Sequence, residues 1–241
     1  MIKLSNLSKS YGTHKAVENL NLEIKTGEIF SFLGMNGAGK TTTIKMITGV
    51  LKPSEGSILI GGFSLQTQPL KAKAITGYIP DRAYLYEKLT GREFLYFTSE
   101  LYNIGLKIAN SRIDELLDSY ELTEVEDDLI DSYSHGMKQR LATCAGLIHN
   151  PQILVIDEPM VGLDPKGALN LKRNLKKYAA SGMTIFLSTH SLHVAEEISD
   201  RIGIIKKGKL IAEGTPKELL EKSSSNNKTL EDAFLEITEN E

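Results

Sequence analysis

The feature that most restricts this chain is the run Gly34-Met35-Asn36-Gly37-Ala38-Gly39-Lys40-Thr41, set directly behind the apolar segment Ile29 to Leu33. It fits the pattern G-x-x-x-x-G-K-[ST], which has its meaning where a strand ends and a helix begins. Glycines let successive backbone N–H groups turn inward, and a helix N-terminus adds partial positive charge, so such a loop is shaped for phosphates. On this reading the loop segment Asn36, Gly37, Ala38 and Gly39 wraps the phosphates and Lys40 bridges the β- and γ-phosphates. Thr41 offers its hydroxyl to Mg²⁺, and Thr42 donates to a phosphate oxygen farther along.

A second apolar run, Ile153-Leu154-Val155-Ile156, ends in Asp157-Glu158. Two carboxylates at that point lie where open α/β sheets bind their ligands, at the carboxyl ends of strands. Asp157 is the candidate to hold Mg²⁺ through water, and Glu158 the candidate to polarise an attacking water, because phosphoryl transfer needs a placed nucleophile and charge compensation. The plainer reading of Glu158 is an exposed strand-terminal acid.

The rest of the chain supplies a scaffold for these two elements. Strand-like runs at Ile2 to Leu7, Ala16 to Ile24 and Glu28 to Leu33 are punctuated by Gly12 and Gly27, and a helical pattern runs from Lys40 to Val50. Ser57 to Ile60 reads as a further strand. From about Tyr84 to Asn150 apolar residues recur at helical spacing, among them Phe94, Leu95, Ile113 and Leu117. Ile153 to Ile156 and Thr184 to Leu187 then flank a helix predicted over Leu169 to Ala179, the alternation of a parallel sheet with helical crossovers. Arg201 to Ile205 and Lys209 to Ala212 form a hairpin about Lys207-Gly208. Ser223 to Asn227 is a polar linker, and Leu230, Phe234 and Ile237 mark a terminal docking helix.

Composition excludes several classes. Of the 241 residues 41% are hydrophobic and 24% charged, close to globular averages, so neither disorder nor a disulfide scaffold is needed. The single cysteine, Cys144, has no partner in the chain and reads as a small core residue. A net charge of −3 and a pI near 6.0 carry no footprint for nucleic acid. Met1 leads into the alternating Ile2-Lys3-Leu4 without a secretory pattern, and no run approaches the roughly 18 apolar residues of a membrane helix. The expectation is a protein inside the cell with at most a peripheral membrane role.

The segment Tyr133-Ser134-His135-Gly136-Met137-Lys138-Gln139-Arg140-Leu141 resembles the signature of the ATP-binding cassette (ABC) ATPases. That signature usually reads L-S-G-G-Q before a basic helix; Ser134, Gly136, Gln139 and Arg140 match, whereas Tyr133, His135 and Met137 depart. The resemblance implies an α/β fold: a P-loop NTPase core with a mixed sheet, an antiparallel β subdomain and an inserted α-helical subdomain. It implies a core of residues 1–82 and 151–222, a helical subdomain of 83–150, and a linker with terminal helix over 223–241. Ser134, His135, Gly136 and Met137 would close over the γ-phosphate held by an opposite subunit in a head-to-tail dimer; the bland alternative for Ser134 is a helix cap.

Other family elements fall in order. Tyr11 resembles the aromatic residue that stacks on adenine, with Val17 as a second contact, and either could instead be core. Gly162-Leu163-Asp164-Pro165 is similar to the loop linking the two subunits' sites, although Asp164 could simply cap the following helix. His190 matches the histidine that contacts the γ-phosphate and orients water. His14, His149 and His193 receive no chemistry. Where the family has glutamine, Gly77-Tyr78-Ile79-Pro80-Asp81 offers a carboxylate at Asp81 that can reach Mg²⁺.

The implied protein is an ATP-hydrolysing subunit, dependent on ATP and Mg²⁺, that pairs with a second ATPase subunit and an integral membrane transporter subunit at the inner face of the cell membrane. The tail Leu230-Glu231-Asp232-Ala233-Phe234-Leu235-Glu236 is similar to those of bacterial drug and peptide exporter ATPases. A cassette with signalling output is the alternative. Repair and translation cassettes fit poorly, because the chain has neither a long coiled coil nor a second cassette, and an N-K-x-D guanine motif is absent from the sequence.

Overall fold

The computed structural model describes residues 1–160, 163–221 and 229–239. The chain opens with strands β1 (Ile2–Tyr11) and β2 (His14–Ile24), then β3 (Ile29–Leu33), the glycine-rich loop and helix α1 (Lys40–Ile47). Strands β4 (Glu55–Ile60) and β5 (Phe63–Ser64), helix α2 (Pro69–Ala74) and strand β6 (Thr76–Ile79) follow. Helices α3 (Gly91–Leu101), α4 (Leu106–Ser119) and α5 (His135–Leu147) occupy the middle. Strand and helix then alternate through β7 (Ile153–Asp157), α6 (Pro165–Ala180), β8 (Thr184–Thr189) and α7 (Leu192–Ile198). The hairpin β9 (Arg201–Lys206) and β10 (Lys209–Gly214) precedes α8 (Pro216–Glu221) and α9 (Leu230–Glu239).

Among the described residues one sheet is antiparallel, in the order β2-β1-β4-β5, and the other is mixed, in the order β10-β9-β3-β8-β7-β6. In the mixed sheet β6, β7, β8, β3 and β9 run parallel and only β10 is reversed. Every residue of β3, β7 and β8 is buried, as expected of strands covered on both faces and rich in Ile, Val, Leu and Phe. Phe186 on β8 stacks on Phe30 and tilts against Phe32 of β3, with ring centroids 6.0 and 5.5 Å apart. This order has one consequence for function: the residues just past β3, β8, β7 and β6 all emerge at the same edge of the sheet.

Two helix boundaries differ from the sequence reading, each for a local reason. Helix α1 stops at Ile47 instead of Val50, because Gly49 adopts φ +67° and the N–H groups of Gly49 and Val50 donate back to Met46 O and Lys45 O. That is a Schellman closure, which ends a helix by satisfying its last carbonyls. Helix α6 begins at Pro165, ahead of the periodic stretch from Leu169 and where the capping alternative for Asp164 puts it: the Asp164 carboxylate accepts the N–H of Gly167 at 2.9 Å and proline suits the first helical position.

The middle segment is helical as expected, with an isolated antiparallel bridge between Thr90 and Leu129. Helix α5 lies against β6 so closely that a Cβ at Gly77 would sit 2.3 Å from Gly146 O, and only glycine at 77 leaves that contact unstrained. Leu230 and Phe234 of α9 are buried with Leu33, Ala195 and Ile204, and Ile237 packs alongside them, so the C-terminal helix docks beneath the sheet edge. The linker Ser223 to Asn227 and Gly162 lie outside the described residues. Among the described residues no helix is long and apolar enough to cross a membrane.

Candidate nucleotide site

The glycine-rich loop joins β3 to α1 as its pattern requires. Gly37 and Gly39 take φ +79° and +113°, and a Cβ at Gly39 would lie 2.6 Å from Ala16 O, so glycine answers both the backbone angle and the close approach of β2. The Thr43 hydroxyl donates to Gly39 O at 2.9 Å and pins the first helical turn. Lys40 is only 5% exposed, and its Nζ donates to Gly34 O at 2.7 Å and Met35 O at 3.4 Å while lying 3.6 Å from Glu158 Oε1. A cavity of about 400 Å³ opens in front of the loop; Asn36, Gly37, Gly39, Lys40, Thr41 and Thr42 line it together with Asp81, Asp157 and Glu158.

The acidic strand end closes the cavity's floor. Asp157 is 2% exposed and accepts a hydrogen bond from Ser188 Oγ on the neighbouring β8. Burial pushes its carboxyl above the ordinary range, with the charges of Glu158 and Asp81 adding to that push and hydrogen bonds from Ser188 and Thr41 opposing it. Glu158 stands at φ +51°, a left-handed conformation that costs a non-glycine residue on the order of 1 kcal/mol. Its N–H donates to Ser188 O at 3.2 Å, which holds the turn, and its carboxylate is divided between two partners. Oε1 faces Lys40, and Oε2 lies 2.9 Å from Nδ1 of His190, the residue that follows β8.

Asp81 reaches the cavity from the loop after β6. That loop is tied to α5, since the buried Gln139 amide donates to Pro80 O at 3.5 Å. The Tyr78 hydroxyl is pushed up to about 12, chiefly by burial and then by the negative charge of Asp157 nearby.

The remaining candidates divide. Tyr11, half exposed at the end of β1, lies on the cavity wall. Val17 does not: its side chain is fully buried among Ile2, Leu20 and Ile44, because inward-facing positions of β2 serve the hydrophobic core, and the wall carries Ala16 and His14 instead. His14 belongs to no motif in the sequence; the register that pairs it with Tyr11 across the Gly12 turn is what brings it to the site. Ala38 is buried and faces a separate hollow beside Phe234 of α9.

The Ser134 hydroxyl accepts the N–H of Met137 at 3.2 Å and caps α5; His135 is exposed, Gly136 and Met137 partly buried, and none of the four lines the cavity of its own chain. Cys144 is fully buried, and burial pushes its thiol far up, which leaves it an inert core group. His149 stacks face to face on Tyr102 with centroids 3.7 Å apart, and His193 approaches Glu197 at 3.6 Å, both away from the cavity.

The chain is similar to several known proteins. A family model described as ABC transporter matches residues 17–161. The chain is 38% identical over 219 residues to the linearmycin resistance ATP-binding protein LnrL of Bacillus subtilis, covering 91% of this chain and 70% of that one. It is 40% identical over 214 residues to the bacitracin transport ATP-binding protein BcrA of Bacillus licheniformis, covering 88% and 69%. With the probable multidrug ABC transporter ATP-binding protein YbhF of Escherichia coli it shares 36% identity over 98% of its own length, but spans only 41% of that protein. Among solved structures, an ATP-binding subunit of an ABC transporter superposes with a TM-score of 0.93 at 31% identity over 99% of both chains. The ATP-binding cassette MJ0796, a dimer in a post-hydrolysis state bound to ADP and Pi, superposes with a TM-score of 0.82 at 28% identity, over 89% of this chain and 98% of that one.

Proposed function

The chain belongs to the ABC transporter family and is an ATP-binding, ATP-hydrolysing subunit, and from that premise we propose that it powers a bacterial-type drug or peptide exporter through ATP-driven closure of a dimer. The observation that carries the reading is the place of Glu158, held at a strand end between Lys40 and His190 on the wall of the phosphate cavity.

Each step follows from a side chain's position. Loop amides and Lys40 take the phosphates, the lysine exchanging carbonyl partners and the Glu158 contact for phosphate oxygens. Glu158 thereby becomes free to accept a proton from the attacking water, and His190 orients that water while fixing Oε2. Tyr11 stacks on the base from the cavity rim. Thr41, Asp157 and Asp81 offer one hydroxyl and two carboxylates, an all-oxygen donor set that suits Mg²⁺, and the buried charge of Asp157 favours a cation beside it. Mg²⁺, when bound, neutralises charge on the transferring phosphate.

The second half of the site comes from another chain. Ser134, His135, Gly136 and Met137 stand at a helix N-terminus away from their own cavity, and in a head-to-tail dimer they would cover the partner's γ-phosphate. We assign the core to residues 1–82 and 151–222, the nucleotide-closing helical part to 83–150 and the terminal extension to 223–241. An integral membrane subunit is the proposed load. The exposed aromatics Tyr84 and Tyr86, in the segment between the Asp81 loop and α3, support a protein partner there and a location against the inner face of the membrane. The names of the relatives, as resistance and transport proteins, favour cargo movement over signalling.

The test is hydrolysis by the purified chain. With Mg²⁺ and ATP the wild type turns over, whereas Glu158→Gln retains ATP binding and loses turnover by about 10²- to 10⁴-fold, the usual worth of a positioned base. Undiminished turnover in that variant would remove Glu158 from its role.

A further inference from the structure

The charged side chains on the cavity wall are Lys40, Asp81, Asp157 and Glu158, so three carboxylates share with one ammonium a space that receives a highly anionic triphosphate. Two of the carboxylates are engaged: Asp157 with Ser188, and Glu158 with Lys40 and His190. Asp81 has no ion-pair or hydrogen-bond partner among the described residues and is only partly exposed, so its charge is neither paired nor fully screened by solvent. A neutral amide at this place, as in the resembling ATPases, would present a dipole that tolerates bare phosphate. A carboxylate repels it, and attracts it only when a divalent cation stands between.

From this, the geometry points to Asp81 as the residue that biases the cavity toward metal-complexed nucleotide and against ATP without its cation. The inference rests on the nucleotide site proposed above and adds a specificity to it. Asp81 touches the cavity from the loop after β6, whose Pro80 carbonyl accepts from Gln139 of α5, and so stands on a different segment from the glycine-rich loop. A substitution at Asp81 therefore changes a charge on the cavity wall without altering Lys40 or the backbone of the glycine-rich loop.

Calorimetric titration with the non-hydrolysable analogue adenylyl imidodiphosphate, in excess Mg²⁺ and again in EDTA, reads the effect without turnover. The expected result is that removing Mg²⁺ weakens binding to the wild type by about tenfold more than binding to Asp81→Asn, a difference of about 1.4 kcal/mol. Asp81→Glu, which keeps the charge, should follow the wild type. Equal penalties in the wild type and Asp81→Asn overturn the inference, as does a glutamate variant that behaves like the asparagine. A wild-type protein that fails to bind the analogue even with Mg²⁺ overturns the nucleotide site itself, and the inference with it.

Discussion

The two ends of the proposed catalytic machinery are built to different degrees of completion. Around the glycine-rich loop everything is fastened: Lys40 is buried and hydrogen-bonded to the loop's own carbonyls, Thr43 pins α1, and Ser188 holds both Asp157 and the backbone of Glu158. At the start of α5 Ser134 is tied only into its own helix, its hydroxyl accepting the N–H of Met137 and its carbonyl that of Lys138 among the described residues, and Ser134 and His135 face solvent. Each half draws its rigidity from a different source. The first is a strand-end site, organised by four neighbouring parallel strands and complete within one chain. The second is a helix N-terminus turned outward, which in the proposed dimer meets an anion held by another molecule.

That contrast can be attacked at either end. After Glu158→Gln, the next largest effect is expected from Lys40→Ala, which removes a cation from the fastened half and should weaken triphosphate binding about 10- to 100-fold, as loss of a charge-assisted hydrogen bond does. Calorimetry checks it, and unchanged affinity would mean that the backbone alone holds the phosphates. Ser134→Ala should do much less to the isolated chain. Loss of the cap is worth about 1 kcal/mol, a fall in Tm of about 2–4 °C, with nucleotide affinity of the monomer unchanged. A Ser134→Ala monomer with weakened nucleotide binding would show that the two halves communicate within one chain.

Much of the fastened half was legible in the sequence because its elements are local. A glycine-rich run behind an apolar strand, and two acids closing another, carry their meaning in consecutive residues, and the structure brings both motifs to one cavity. What escaped depends on pairing across distance. His14 reaches the wall because of its register with Tyr11, and Val17 leaves it because β2 turns that face into the core, neither of which follows from strand propensity. The neighbours of Asp157 were equally hidden: Ser188 lies 31 residues away and becomes adjacent only through the order β3-β8-β7. The end of α1 was misplaced because a helical apolar pattern continues past the point where Gly49 closes the helix. Asp81, by contrast, was found by its place in a resemblance, and its consequence became visible only beside the other carboxylates.

In the proposed assembly each nucleotide is enclosed by the loop of one chain and the α5 N-terminus of its mate. Sedimentation velocity of Glu158→Gln protein tests it most directly, with Mg²⁺ and ATP present or absent, and again after Ser134→Arg is added to the same chain. The expected result is an ATP-dependent dimer that the added arginine returns to monomers still able to bind nucleotide. A dimer that forms equally well with Arg at 134, or a chain that sediments as a monomer whatever nucleotide is supplied, would contradict it.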